Sequence, residues 1–103
     1  MVAYNIDIIS EKLIDVVIRR AVGFKIRNFK IKASSSAFEQ IVLRAIESTS
    51  KYLVNKSGMQ LYCNICGKGP YTRKGMYLHL LRTHKYEIKN MIKEDLRELE
   101  LAS

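Results

Sequence analysis

Apolar residues near the start of the chain fall at Ile6, Ile9, Leu13, Val16 and Val17, in steps of three and four. Such spacing lines one face of a helix, predicted over residues 5–21 and closing near Gly23. Over residues 24–32 the period changes to two. Phe24 and Ile26 share one parity and Phe29 and Ile31 the other, so a ribbon with a bulge or tight turn at Arg27 and Asn28 is expected. Ser36 with Glu39 three positions on forms a capping box, and a second helix is predicted from Ala37. Its stripe runs through Phe38, Ile41, Val42, Ala45, Ile46, Thr49 and Leu53, and Gly58 is expected to close it in a left-handed conformation. Residues 59–63 read as a short strand. A third helix is predicted from Thr72, with Leu81, Ile88, Met91, Ile92, Leu96 and Leu99 able to carry it far towards the C-terminus.

This order predicts an α+β protein: a small helix–ribbon–long helix unit over residues 1–58, a ββα element over 59–86 and a C-terminal helix over 87–103. At 103 residues and 48% hydrophobic content the chain suits one small core plus an appendage, and no internal repeat is visible. No stretch approaches the roughly 18 consecutive apolar residues of a membrane span, and Asp7 and Glu11 interrupt anything resembling a leader. A soluble, intracellular protein is the expectation.

The chemistry concentrates late in the chain. Cys63 and Cys66 are separated by two residues, twelve follow, and His79 and His84 are separated by four. Two thiolates at that spacing fit one tight turn, and two imidazoles five positions apart lie on about one helical face, so the four can close a tetrahedron around Zn²⁺. A redox dithiol with two solvent-facing histidines is the plainer alternative. It would need four residue types to match three spacings by accident. Four protein ligands leave no coordination position for water, so the zinc would be structural, and no enzyme activity is expected.

The run Leu61, Tyr62, Cys63, Asn64, Ile65, Cys66, Gly67, Lys68, followed by Met76, His79, Arg82, Thr83 and His84, resembles the CCHH zinc-finger family over residues 61–84. The resemblance implies a strand hairpin around the cysteines and a helix through the histidines. The family usually carries an aromatic residue four positions after the second cysteine. Pro70 stands there in this chain and Tyr71 comes one position late, where it could fill the same cavity. In members of the family that read DNA, the base-contacting helix positions correspond here to Thr72, Lys74, Gly75 and Leu78, a set poor in hydrogen-bonding side chains.

Charge changes the picture once its distribution is considered. Eighteen Lys and Arg against ten Asp and Glu give a net charge of +8, which favours a polyanionic partner. One basic group is Arg19, Arg20, Lys25, Arg27, Lys30 and Lys32, with no acid between them; a second is Lys68, Arg73, Lys74 and Arg82 beside the metal motif. An ordinary solvated face is the competing explanation for either. With Thr72, these residues are the candidate contacts to nucleic acid, double-stranded DNA in the first instance, for a transcriptional regulator. A zinc-finger module that docks onto protein is the rival reading, favoured by Gly75 and Leu78. The long apolar stripes add homodimerisation as an expected partnership. The Ile-, Lys- and Tyr-rich, Trp-free composition is also reminiscent of proteins from viruses or plasmids of heat-loving archaea.

Overall fold

The computed structural model describes residues 5–26 and 36–102. The ribbon positions Arg27, Lys30 and Lys32, with the phase flip at Asn28, lie outside the described residues. Helix α1 spans Ile6–Val22. The Asn5 side chain accepts from the Ile8 amide at 3.1 Å and so caps one of the unpaired donors of the first turn. At the other end Gly23 takes φ 89° and returns its N–H to the carbonyls of Arg19 and Arg20. The helix buries Leu13, Ile14, Val17, Ile18, Ala21 and Val22 along one face.

Helix α2, Ser36–Leu53, begins one residue before the predicted start and buries Phe38, Val42, Ala45, Ile46, Thr49 and Leu53. It stops five residues short of Gly58. Strand β1, Val54–Ser57, follows at once and pairs antiparallel with β2, Gln60–Cys63, in a register that sets Val54 opposite Cys63 and Ser57 opposite Gln60. The physical reason lies across the hairpin. The Asn64 amide donates to the Leu53 carbonyl at 3.0 Å, and the Asn64 side chain donates to the Tyr52 carbonyl at 2.6 Å. Carbonyls that a longer helix would have satisfied are thus satisfied from a distant residue. Gly58, at φ 62°, supplies the left-handed conformation at the tip of the hairpin instead of at a helix end.

Helix α3 spans Arg73–Thr83 and helix α4 spans Lys85–Ala102. The single helix expected from the sequence is therefore interrupted at His84, whose backbone sits at φ −118°, ψ 17°. His84 still donates to the Leu80 carbonyl at 3.0 Å and accepts from the Ile88 amide at 2.9 Å, so it closes one helix and opens the next. Beyond the bend, Ile88, Ile92 and Leu96 turn into the core.

Helices α1, α2 and α4 pack pairwise as a three-helix layer, and α3 lies against α1 and β2. The buried side chains form one continuous cluster that includes Leu61, Cys63, Met76 and Leu80 alongside Val17, Val42 and Ile92. The apolar interior thus runs unbroken past residues 58 and 86. Polar ties fix the layer: Lys89 bridges Asp7 at 3.3 Å and Glu11 at 3.2 Å, Lys93 meets Asp7 at 3.3 Å, and Thr49 donates to Asp95 at 2.6 Å. Among the described residues no helix is long and apolar enough to cross a membrane.

Candidate metal centre

Three local devices bring four ligands to one point. Strand β2 carries Cys63 to its last position, where the residue is 1% exposed. The chain then folds tightly, with the Gly67 amide donating to the Cys63 carbonyl at 2.7 Å and the Cys63 amide to the Lys68 carbonyl at 2.8 Å. That loop holds Cys66 at the surface. Leu61 and Tyr71 then exchange backbone hydrogen bonds of 3.2 and 2.8 Å, an isolated bridge on the open side of β2. The family resemblance implied a hairpin around the cysteines. The β1–β2 hairpin ends on Cys63, and the chain that returns after Cys66 pairs with β2 only through this one bridge, which brackets both cysteines.

The return is tight at Gly69. Its φ is 152°, and a β-carbon there would come within 2.8 Å of the Leu61 carbonyl oxygen and 2.7 Å of the Tyr62 ring. Only glycine permits so close an approach. Beyond it, Thr72 caps α3 by accepting from the Gly75 amide at 3.0 Å, and α3 projects His79 from its middle and His84 from its end.

The ligand atoms of Cys63, Cys66, His79 and His84 all lie within 4.8 Å of one another, and Cys66 Sγ is 3.4 Å from His79 Nε2. A tetrahedron built on zinc-like bond lengths has edges of about 3.3–3.8 Å, so the cluster could hold one metal ion with a contraction of about 1 Å at its widest. The strongest sign of a fit is His84. Its ring is buried, its Nδ1 meets Glu87 Oε1 at 2.7 Å, and its Nε2 is a buried nitrogen with no hydrogen-bond partner among the described residues. A buried polar atom left without a partner costs on the order of 1–3 kcal/mol, which a metal bond at that nitrogen would remove.

His79 is arranged in the same sense. Tyr71 stacks on its ring with centroids 4.8 Å apart, and the Tyr71 hydroxyl lies 3.4 Å from Nδ1. Both imidazoles therefore engage Nδ1 with an outer partner and turn Nε2 inward, the arrangement that orients metal-bound histidines. Electrostatics separate the ligands. Burial pushes the Cys63 thiol above its ordinary range, whereas the Lys68 amide, with help from His84, pulls the exposed Cys66 thiol down. Burial, then the neighbouring charges of His84 and Lys68, lowers His79. For His84 burial acts in the same downward sense, but the Glu87 carboxylate and the Cys66 sulfur outweigh it and the net direction is up. Cys66 is thus the easier thiolate to form.

The structure also sorts the predicted basic residues. Arg19 is bonded to Asp15 at 2.8 Å and lies over the Tyr77 ring at 5.2 Å, while Arg20 is paired with Glu47. Lys25, Lys68, Arg73, Lys74 and Arg82 are exposed, as is Thr72. The guanidinium of Arg73 lies close to Gly23, at 3.8 Å from the position of an added β-carbon, and Phe24 packs on Tyr77 at 5.7 Å. The end of α1 and the start of α3, fifty positions apart in sequence, are therefore neighbours. Sequence reasoning missed Glu87 and Asn64. The spacing of Glu87, three positions after His84 on a helix, was a usable signal; the Asn64 cap has no local signal because its acceptors lie across the hairpin. No protein-family model matches this chain, and no curated protein or solved structure does.

Proposed function

We propose that this chain is a small zinc-organised nucleic-acid-binding protein, a transcriptional regulator acting on double-stranded DNA. The observation that carries the reading is the meeting of two basic segments. Lys25, just past the end of α1, and Arg73 and Lys74 at the start of α3 occupy neighbouring positions, while Asp7 and Glu11 of α1 are paired with the α4 lysines and Arg19 is paired with Asp15. An α-helix start offers free amides to a phosphate, and exposed lysines and arginines beside it add point charges. From residue 85 onward four basic residues meet five acidic ones, so the positive excess belongs to the rest of the chain.

Zn²⁺ suits the two-thiolate, two-imidazole donor set. Bound by Cys63, Cys66, His79 and His84, it would fix α3 relative to the hairpin and so hold Arg73 and Lys74 beside α1. The chemistry it supplies is structural cross-linking. Base reading along α3 is weak, because Thr72 spends its acceptor on the Gly75 amide and Gly75 has no side chain. Affinity comes chiefly from phosphates, and selectivity from duplex shape.

A mobility-shift titration with random duplex and single-stranded pools tests this. The wild type is expected to bind duplex at low salt with a steep salt dependence. The triple change Lys25→Ala, Arg73→Ala and Lys74→Ala is expected to flatten the slope by about 0.9 for each phosphate that is no longer neutralised. Absent duplex binding at low salt, or equal binding by the variant, would remove the proposal.

A further inference from the structure

A second surface lies on the opposite chemistry. Between α2 and α4 runs a groove of about 510 Å³ lined by Ser48, Thr49, Tyr52, Glu87, Asn90, Met91, Glu94 and Asp95. Three of these are carboxylates and none is basic, in a chain whose net charge is +8. The apolar part of the lining comes from Tyr52, which is 53% exposed, and Met91. Tyrosine and methionine with a rim of one charge sign make a surface suited to protein contact. Tyr86, 77% exposed, lies four positions before Asn90 on α4, and helical spacing places it beside the mouth of the groove.

The carboxylates are held in place. Asp95 accepts from Thr49 at 2.6 Å, Glu87 accepts from the ring of His84, and Glu94 meets Arg97 at 3.3 Å with both side chains more than half exposed. Fixed negative groups around an apolar floor recognise a cation that arrives with an apolar neighbour. An anion or a nucleic acid phosphate would be repelled there.

We infer that the α2–α4 groove is a docking site for a basic, amphipathic peptide segment of a protein partner, one that sets an apolar side chain on Tyr52 and Met91 and its Lys or Arg groups against Glu87, Glu94 and Asp95. The charge complementarity selects this occupant. Peptide docking here is independent of DNA binding, since it uses none of the residues assigned to phosphate contact. Together the two surfaces would let one small chain hold a polyanion on one face and a cationic protein segment on another.

The test uses the full metal-loaded chain, isotope-labelled for NMR, titrated with a synthetic Leu- and Arg-containing helical peptide and with its Glu-for-Arg counterpart. The basic peptide is expected to shift the resonances of Tyr52, Met91 and Glu94, and the acidic peptide to leave them in place. Glu94→Lys and Met91→Ala should each weaken binding about tenfold. Unchanged amide resonances of the core residues Val17, Val42 and Ile92 confirm that each variant keeps its fold. Shifts confined to the α1–α3 face, or unchanged affinity in Glu94→Lys, would overturn the assignment. So would concentration-dependent shifts of the groove residues without peptide, which would mark a second copy of the chain as the occupant.

Discussion

The three-helix layer and the metal end are built by different means. In the layer, Val17, Ile18, Val42, Ala45, Ile88 and Ile92 are all completely buried, and each helix contributes several such residues. At the metal end the hairpin and α3 together bury Leu61, Cys63, Met76 and Leu80. Strand β1 is mostly exposed, and Met59 at the hairpin tip is 98% exposed. Apolar burial can hold the first region, at roughly 1.5–3 kcal/mol per large side chain. The second has fewer such groups to offset the ordering of its loop residues, and a metal cross-link at Cys63, Cys66, His79 and His84 would add to its order. Helix α3 has a further anchor in Tyr77, whose ring meets Phe24 and whose hydroxyl donates to Asp15.

Four changes press on this contrast. The largest effect is expected for His84→Ala, which deletes a ligand and empties a buried position at the joint between α3 and α4. Metal affinity should fall by roughly a hundredfold or more in a competitive chelator titration, while far-ultraviolet dichroism keeps most of the helical signal. Ile92→Ala opens a cavity in the layer and is expected to lower unfolding free energy by about 2–5 kcal/mol in a denaturant titration. Metal affinity of the folded variant should be unchanged, because the two sites share no ligand.

Gly69→Ala strikes the other region. Its β-carbon would press on the Leu61 carbonyl and the Tyr62 ring in a backbone conformation that L side chains avoid, so about 1–3 kcal/mol of destabilisation is expected, seen as a lower melting temperature. The smallest effect concerns the seam between α1 and α4. Lys93 and Lys89 hold the Asp7 carboxyl below its ordinary value of 3.8. A carboxyl lowered by folding adds stability above its unfolded pKa and loses it as pH falls through the folded one. Asp7→Asn should therefore lower the melting temperature slightly at neutral pH, and the difference from wild type should vanish in strong acid.

What could be read from the sequence follows the same division. Helix α1, its end at Gly23 and the stripe of α2 were legible because three- and four-residue spacing is a local consequence of burying one face. The clustering of Cys63, Cys66, His79 and His84 was legible because residues that can share one metal ion must recur at fixed separations. The end of α2 at Leu53 was not, since it depends on Asn64 reaching back across the hairpin to the carbonyls of Tyr52 and Leu53. The break at His84 was hidden for another reason. Leu81, Ile88, Ile92, Leu96 and Leu99 follow one another at the three-, four- and seven-residue separations of a helix face, so the apolar spacing reads as continuous through the joint. The proximity of Arg73 to Gly23 is tertiary and has no local trace.

Amide hydrogen exchange on the metal-loaded chain, repeated after complete chelation, tests the central claim most directly. The account predicts that Leu61, Cys63, Met76 and Leu80 lose protection on chelation while Val17, Val42 and Ile92 retain it. Protection that survives everywhere, or collapses everywhere at once, would contradict the idea that a bound metal orders one end of a molecule whose other end stands on its own packing.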